Sequence, residues 1–162
     1  MKLRGDRVVL EPLRPDHADR LREMRNAPEV ARRWDPAPDG WPMAAEDGVD
    51  VKLTVTRDGE IVGFLQFYEE RDPDYRHADI DIFIGDEHQD EGLGTDALRV
   101  VVAHLTEGHR HHRLTLLTSP TNARAIHAYE KLGFRHVGVH HRAVFDHVTG
   151  EWVDELLMEL VR

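Results

Sequence analysis

The feature that most constrains this sequence is an apolar strand that ends in a glycine-containing turn and opens into a helix. The strand is predicted from Ala78 to Ile84, and helical spacing of apolar residues runs from Gly92 to about Glu107. Such a junction presents free backbone N–H groups at the positive end of a helix dipole, and Gly92 and Gly94 permit close approach of a ligand. The pattern indicates a pyrophosphate site, the alternative being an ordinary turn that starts a helix. A dinucleotide-binding fold is disfavoured because its third glycine and later acidic residue are missing.

A second strand-to-helix junction follows further along the chain. Leu114 to Thr118 is a short apolar strand, and a helix is predicted from about Asn122 to Leu132, where Gly133 ends it. Asn122 and Tyr129 are two helical turns apart and project from one face. An amide and a phenol on one helix face could both contact a sulfur leaving group. The alternative is a tyrosine ring that packs in the core.

Together these two segments resemble the GNAT superfamily of acyl-CoA N-acyltransferases. Gln89 to Gly94 matches the Q-x-x-G-x-G motif, and Asn122 to Phe134 matches N-x-x-A-x-x-x-Y-x-K-x-G-F. The resemblance implies one domain over residues 1–162, of the α/β (α+β) class, with a mixed, mostly antiparallel, V-splayed central sheet flanked by helices. It also implies acyl transfer, acetyl first, from acetyl-CoA to a primary amine by direct attack in a ternary complex.

The resemblance also implies roles for individual residues. The turn from Gln89 to Thr95 would hold the pyrophosphate, and the strand at Ile82 and Ile84 would pair with the pantetheine arm. Asn122 would hydrogen-bond the pantetheine, and Tyr129 would protonate the departing thiolate. The cofactor-binding residues expected on this basis are Ile82, Phe83, Ile84, Gln89, Gly92, Leu93, Gly94, Thr95, Asn122 and Tyr129.

Two carboxylates on the first strand are candidates for contact with the acceptor amine. Asp79 and Asp81 share one face with Phe83, opposite an apolar face of isoleucines. The segment from Ile80 to Gly85 is similar to one in aminoglycoside 6′-N-acetyltransferases, which implies that Asp81 binds the amine and is its base. The alternative is a strand edge whose carboxylates are simply solvated.

The acceptor is expected to be a small cation such as an aminoglycoside or a polyamine. A net charge of −10 argues against a nucleic-acid partner, and Trp34 with Asp35 would wall a site for a cation. Trp34 and Trp41 can equally anchor an irregular loop. Two other functions stay open: a protein or peptide N-terminal acetyltransferase, whose ribosomal-protein-modifying relatives resemble Gly150 to Met158, and a non-catalytic acyl-CoA sensor.

Several site classes are excluded or disfavoured. The chain has no cysteine, which excludes disulfides, thiolate metal sites and a cysteine nucleophile. The twelve histidines, including the run from His109 to His112, are interpreted as surface or packing residues because neighbouring strand residues face opposite ways. No metal site is therefore predicted. No apolar run spans a bilayer and no secretory signal is recognised, so no membrane partner and a cytoplasmic location are expected. A homodimer stays open.

The proposed pyrophosphate loop is unusual in its charge. Asp90 and Glu91 stand where relatives often carry glycine and a basic residue, and the loop is one residue shorter. Both carboxylates are expected to repel the cofactor phosphates and weaken acetyl-CoA binding.

The rest of the chain alternates strand and helix signals. A hairpin is predicted at Val51 to Tyr68 around Asp58-Gly59, and a closing hairpin at Phe134 to Leu160. Arg7 to Leu10 is a predicted strand and Asp16 to Asn26 a predicted helix, followed over residues 34–50 by a structured loop.

Overall fold

A computed structural model describes residues 1–162 as one open sheet flanked by helices. The strands are β1 (Leu3–Arg4), β2 (Val9–Pro12), β3 (Val51–Arg57), β4 (Glu60–Glu70), β5 (His77–Ile84), β6 (Arg113–Thr118), β7 (Arg135–Asp146) and β8 (Glu151–Val161). The α-helices are α1 (Ala18–Asn26), α2 (Pro28–Ala31), α3 (Leu93–Ala103) and α4 (Ala123–Lys131). None of them has the length and apolar character needed to cross a bilayer.

The sheet is mixed but mostly antiparallel. Its strand order is β1-β2-β3-β4-β5-β6-β8-β7, and only β5 and β6 run parallel. β8 therefore lies between β6 and β7, although β7 precedes it in the sequence. The expected α/β class and mostly antiparallel sheet are confirmed.

The sheet splays open at its centre. β5 and β6 pair only through Ala78 with Leu114 and Asp79 with Thr115. Beyond these pairs, β5 continues to Ile84 and β6 to Thr118 without contact between their backbones. The two strands form the expected V, and each leads into a helix that begins at its open end.

Alternating residues of β5 face two different cores. Ile80 is buried in the larger core, which α3 and α4 cover. Phe83 is buried on the opposite face, in a smaller core with Phe64, Trp41 and residues of α1. The predicted two-faced strand is confirmed, and its carboxylates lie on the side of the smaller core.

Some element boundaries differ from the sequence prediction. α1 ends at Asn26 as predicted, but Pro28 starts a further short helix, α2, because proline fits the first helical turn. The first strand is two short strands, β1 and β2, that pair with each other. The helix α3 ends in a π-helical turn at His104–Gly108.

Candidate active site

A cavity of about 480 Å³ lies at the open end of β5, against the starts of α3 and α4. We call it the cofactor-side cavity. All the residues expected to bind the cofactor line it. They are Ile82, Phe83, Ile84, Gln89, Gly92, Leu93, Gly94, Thr95, Asn122 and Tyr129.

The N-terminus of α3 forms one wall of this cavity. Gly92 is the N-cap and has a φ of 75°, a left-handed conformation that glycine adopts without strain. The Asp96 N–H is bonded to the Gly92 carbonyl (3.1 Å), and the N–H groups of the three residues between them have no helical acceptor. A Cβ on Gly94 would lie 3.3 Å from the Ile84 side chain. The turn therefore exposes backbone donors in the arrangement that binds an anion.

The free edge of β5 forms a second wall. Beyond Asp79 the strand pairs with β4 only, so the backbone at Ile82 to Ile84 has no strand on its β6 side. The Gln89 side chain donates to the Ile84 carbonyl (2.7 Å) and holds the turn against the strand end. An extended amide chain can add to such an edge through backbone hydrogen bonds.

Asn122 and Tyr129 stand on α4 at the junction with β6. The Asn122 side chain caps the helix by accepting from the Ala125 N–H (3.4 Å) and donates to the Thr118 hydroxyl (3.4 Å). The Tyr129 ring is buried in the larger core. Burial, and secondarily the charge of Asp81, raises the pKa of the Tyr129 hydroxyl well above its ordinary value. The phenol therefore stays protonated and has a hydrogen to donate.

A second cavity, of about 1140 Å³, opens on the Asp81 face of the sheet. We call it the acceptor-side cavity. Its walls come from α2 and the following loop, from β5, and from the hairpin of β7 and β8. Six carboxylates and three arginines line it. They are Asp35, Glu46, Asp81, Asp146, Asp154 and Glu155, with Arg25, Arg32 and Arg33.

Five residues line both cavities and form the passage between them. They are Arg33, Trp34, Ile82, Asn122 and Tyr129. The passage passes through the V of the sheet. Tyr129 therefore borders both cavities.

Asp81 lies in the floor of the acceptor-side cavity. The Gln66 amide donates to its carboxylate (3.3 Å). The dense surroundings raise the pKa of Asp81, the nearby charges of Asp79 and Glu46 add to the rise, and the Gln66 hydrogen bond opposes it. The carboxylate remains accessible to the water in the cavity, so it can exchange protons with a ligand. A carboxylate of raised pKa is a better base than an ordinary aspartate.

Glu155 on β8 is a carboxylate that the sequence analysis missed. Burial raises its pKa, the charges of Asp81 and Asp35 raise it further, and His140 opposes the rise. No local motif marks Glu155, because only the pairing of β8 with β6 brings it to this cavity.

The other residues expected to bind the acceptor are placed differently. Asp35 lines the acceptor-side cavity, and Trp34 lines both cavities with its ring edge-on to Phe83 (5.0 Å). Trp41 is 1% exposed and anchors its loop in the smaller core. The structure does not bring Asp79 into either cavity, because the Thr115 hydroxyl holds its carboxylate at the last β5–β6 pair.

The acidic loop does not present both charges to the cofactor-side cavity. Glu91 does not line the cavity, since its carboxylate pairs with Arg57 (3.1 Å) and His88 (3.5 Å). The structure therefore places the Glu91 carboxylate outside the cavity, where it is partly neutralised by Arg57. Asp90 does line the cavity, at a φ of 64°, and pairs with Arg124 (3.0 Å).

Comparison with known proteins shows the family to which the chain belongs. The family profile described as the acetyltransferase (GNAT) domain matches residues 7–135. The chain belongs to the GNAT acetyltransferase family. It is therefore an N-acetyltransferase of a family that uses acetyl-CoA.

Individual relatives agree with this GNAT assignment. The chain is 28% identical to spermidine N(1)-acetyltransferase of Escherichia coli K12, over 78% of this chain and 72% of the relative. It is 30% identical to spermine/spermidine N(1)-acetyltransferase of Bacillus subtilis 168, over 50% of this chain and 57% of the relative. The fold is similar to that of Mycobacterium smegmatis RimJ in complex with CoA-disulfide, with a TM-score of 0.81, 22% identity, and coverage of 99% and 86%.

Proposed function

We propose that this GNAT enzyme acetylates a primary amine of a small cationic acceptor, a polyamine or an aminoglycoside, by direct attack within a ternary complex. The observation that carries the proposal is the set of six carboxylates in the cavity that meets the cofactor-side cavity at Tyr129. The three arginines there leave an excess of negative charge, which favours a cation. The polyamine acetyltransferases among its relatives support a polyamine first.

Acetyl-CoA is proposed to occupy the cofactor-side cavity in an extended form. The N-terminus of α3 would bind the pyrophosphate, and the free edge of β5 at Ile82 to Ile84 would pair with the pantetheine arm. The thioester would then reach the passage lined by Asn122 and Tyr129. No side chain of the enzyme needs to carry the acetyl group, because the acceptor enters from the opposite face.

The proton transfers are proposed to use Asp81 and Tyr129. A polyamine nitrogen is protonated at neutral pH and must lose a proton to Asp81 before its lone pair can attack the thioester carbon. The C–N bond forms, the C–S bond breaks, and the Tyr129 hydroxyl donates its hydrogen to the departing sulfur. The nitrogen gives up its second proton, which restores the tyrosine. Overall, one ammonium and one acetyl-CoA yield one amide, one thiol and one proton.

The test is turnover of acetyl-CoA with a panel of amines, measured as thiol release and confirmed by the mass of the product. The panel contains spermidine, spermine, an aminoglycoside, and a matched pair, 1,6-diaminohexane and hexylamine, which differ in one ammonium group. We expect the polyamine and the diamine to give higher kcat/KM than hexylamine.

Three other outcomes would contradict the proposal. Equal kcat/KM for hexylamine and 1,6-diaminohexane would show that the carboxylates do not select an acceptor with a second positive charge. Turnover of peptides with free N-termini alone would indicate a protein or peptide N-terminal acetyltransferase. Stoichiometric acetyl-CoA binding without turnover of any amine would indicate a sensor.

A further inference from the structure

Glu69, His109 and His111 converge at the end of the sheet opposite the V. The Glu69 Oε2 atom lies 2.9 Å from His109 Nδ1 and 2.6 Å from His111 Nε2. These three ligand atoms all lie within 4.8 Å of one another. His111 is buried, whereas Glu69 and His109 are half-buried, so a solute can reach the cluster.

An irregular backbone brings the two histidines to the same side. The π-helical turn at His104–Gly108 is followed by Arg110, a non-glycine residue with a φ of 61°. The His109 N–H donates to the His104 carbonyl (3.0 Å), and the His111 N–H donates to that of Leu105 (2.9 Å). π-Helical turns and left-handed non-glycine residues are both enriched at functional sites. The expectation that these histidines face opposite ways does not apply to His109 and His111, because they are two residues apart and lie between the π-helical turn and β6 rather than in a strand.

Residues outside the cluster also contact the segment that carries the two histidines. The Arg76 guanidinium donates to the His109 carbonyl, and the His104 ring lies 4.4 Å from the His109 ring. The His111 Nδ1 atom is buried without a hydrogen-bond partner, so all polar contact of that ring is on the Glu69 side. The three ligand groups therefore face one another without a large rearrangement.

We propose that Glu69, His109 and His111 form a binding site for a divalent transition metal ion of the Zn²⁺ class. Two imidazoles and one carboxylate are ligands that Zn²⁺ accepts, with water in the fourth position of a tetrahedron. Bonds of about 2.1 Å at tetrahedral angles separate ligand atoms by about 3.4 Å. The present 2.6 and 2.9 Å contacts would have to open by less than about 1 Å.

The site is structural and separate from the active site. Glu69 pairs with Ala78, at the end of β5 where that strand still contacts β6. Asp81, in the floor of the acceptor-side cavity, lies three residues further along β5, about 10 Å at the rise of a strand, and Ile84, beside the cofactor-side cavity, lies six residues along, about 20 Å. An ion here would join β4 to the turn that precedes β6, so its binding would stabilise the folded state.

The test uses tag-free full-length protein, stripped with a chelator and titrated with ZnCl2 by calorimetry. We expect one ion per chain at this site and a melting temperature that rises with zinc concentration. Co²⁺ in place of Zn²⁺ should give the visible absorption spectrum of a four-coordinate site. The variants Glu69→Gln and His109→Asn should each weaken binding at least about tenfold and lose the Co²⁺ spectrum.

A matched control separates this site from the other histidines. His136 and Glu130 form an exposed pair (3.0 Å) with a single imidazole, so the double variant Glu130→Gln/His136→Asn should bind zinc as the parent does. Circular dichroism would show that Glu69→Gln and His109→Asn are folded. Absence of stoichiometric binding, or equal zinc affinity in the parent and both cluster variants, would overturn the proposal. The cluster would then be only a pair of hydrogen bonds to Glu69.

Discussion

The two cavities that meet at Tyr129 are built in different ways. The cofactor-side cavity comes mainly from two continuous stretches, Ile82 to Leu98 and Asn122 to Lys131, with a small contribution from α2 and the loop after it, and its anion-binding donors are backbone N–H groups of α3. The acceptor-side cavity collects residues from five strands, several helices and several loops, and nine of its side chains are charged. A site that binds its ligand through backbone groups keeps those contacts when most of its side chains are substituted. A site that binds through side chains changes its ligand preference with each substitution. The comparison explains how one fold can keep its acyl donor while its acceptor changes.

The largest expected effect is at the passage that both cavities share. Tyr129→Phe should lower kcat about 10²-fold, because it removes the proton donor to the departing sulfur. The affinity for acetyl-CoA should stay near normal, and the phenyl ring keeps the packing beside Phe134. Steady-state kinetics and calorimetric titration measure the two quantities. An unchanged kcat would remove Tyr129 from the chemistry and leave the two cavities without a shared donor.

The next effect separates the acceptor side from the cofactor side. Asp81→Asn should lower kcat/KM for the amine about tenfold or more below the pKa of the amine, because the base is lost. The effect should shrink as the pH approaches that pKa. Asp79→Asn is the control, since Asp79 lines neither cavity, and it should change kcat/KM little. Equal and small effects would indicate that water takes the proton.

The same substitution should have the opposite effect on stability. Folding raises the pKa of Asp81, so the folded protein holds this proton more tightly than the unfolded chain. The free energy of unfolding therefore falls as the pH rises through the window above about 4, where an unfolded aspartate ionises. Asp81→Asn has no carboxyl to ionise at this position, so the variant does not lose this stability. The free energy of unfolding of the variant, relative to that of the parent, should therefore increase from pH 4 to neutral. Urea unfolding at several pH values tests the sign, and a relative decrease would contradict it.

Salt should distinguish the charged cavity from the backbone cavity. KM for spermidine should rise about threefold between ~10 and ~150 mM salt, because screening shortens the reach of the carboxylates. KM for hexylamine, with one charge, should change less. A salt-independent KM for spermidine, or better turnover of neutral amines, would contradict selection by charge.

The smallest effects are expected in the acidic loop. Asp90→Gly should tighten acetyl-CoA binding about two- to fivefold, because it relieves a left-handed aspartate and frees Arg124 for the phosphates. Glu91→Lys should leave the affinity nearly unchanged, since Glu91 faces Arg57 and lies outside the cavity. Calorimetry at two salt concentrations compares both variants. Tighter binding by Glu91→Lys, mainly at low salt, would show that the carboxylate does reach the cofactor.

How much of each cavity could be predicted from the sequence depends on whether its residues are close together in the chain. Gly92, Gly94 and Asn122 act through local backbone geometry, and local geometry leaves a recognisable spacing in the sequence. Glu155 acts only because β8 pairs with β6, and Asp146 only because β7 pairs with β8. Such positions carry no local pattern, so the fold and the donor site could be predicted while most of the acceptor site could not.

The turn at His104 to His111 was missed for a related reason. Adjacent strand residues face opposite ways, which would separate His111 from His112, whereas His109 and His111 are two residues apart and would share a face even in a strand. The π-helical turn and the left-handed Arg110 replace the strand at this point. Neither irregularity has a sequence signal as clear as a glycine at a turn.

The insertion of β8 between β6 and β7 also has a consequence for the order of folding. β6 gains its second covered edge only when β8 arrives from far along the sequence, as in the pairing of Arg113 with Val161. Closing so long a loop costs chain entropy before its contacts form, and high contact order slows folding. The pairing of Val9 with Thr56 closes a loop of similar length between β2 and β3, so we expect the addition of β2 and the insertion of β8 both to be late events. β8 carries both Glu155, which lines the acceptor-side cavity, and apolar residues of the larger core that α4 covers. The core beneath α4 and the carboxylate of the acceptor-side cavity would therefore form in the same step.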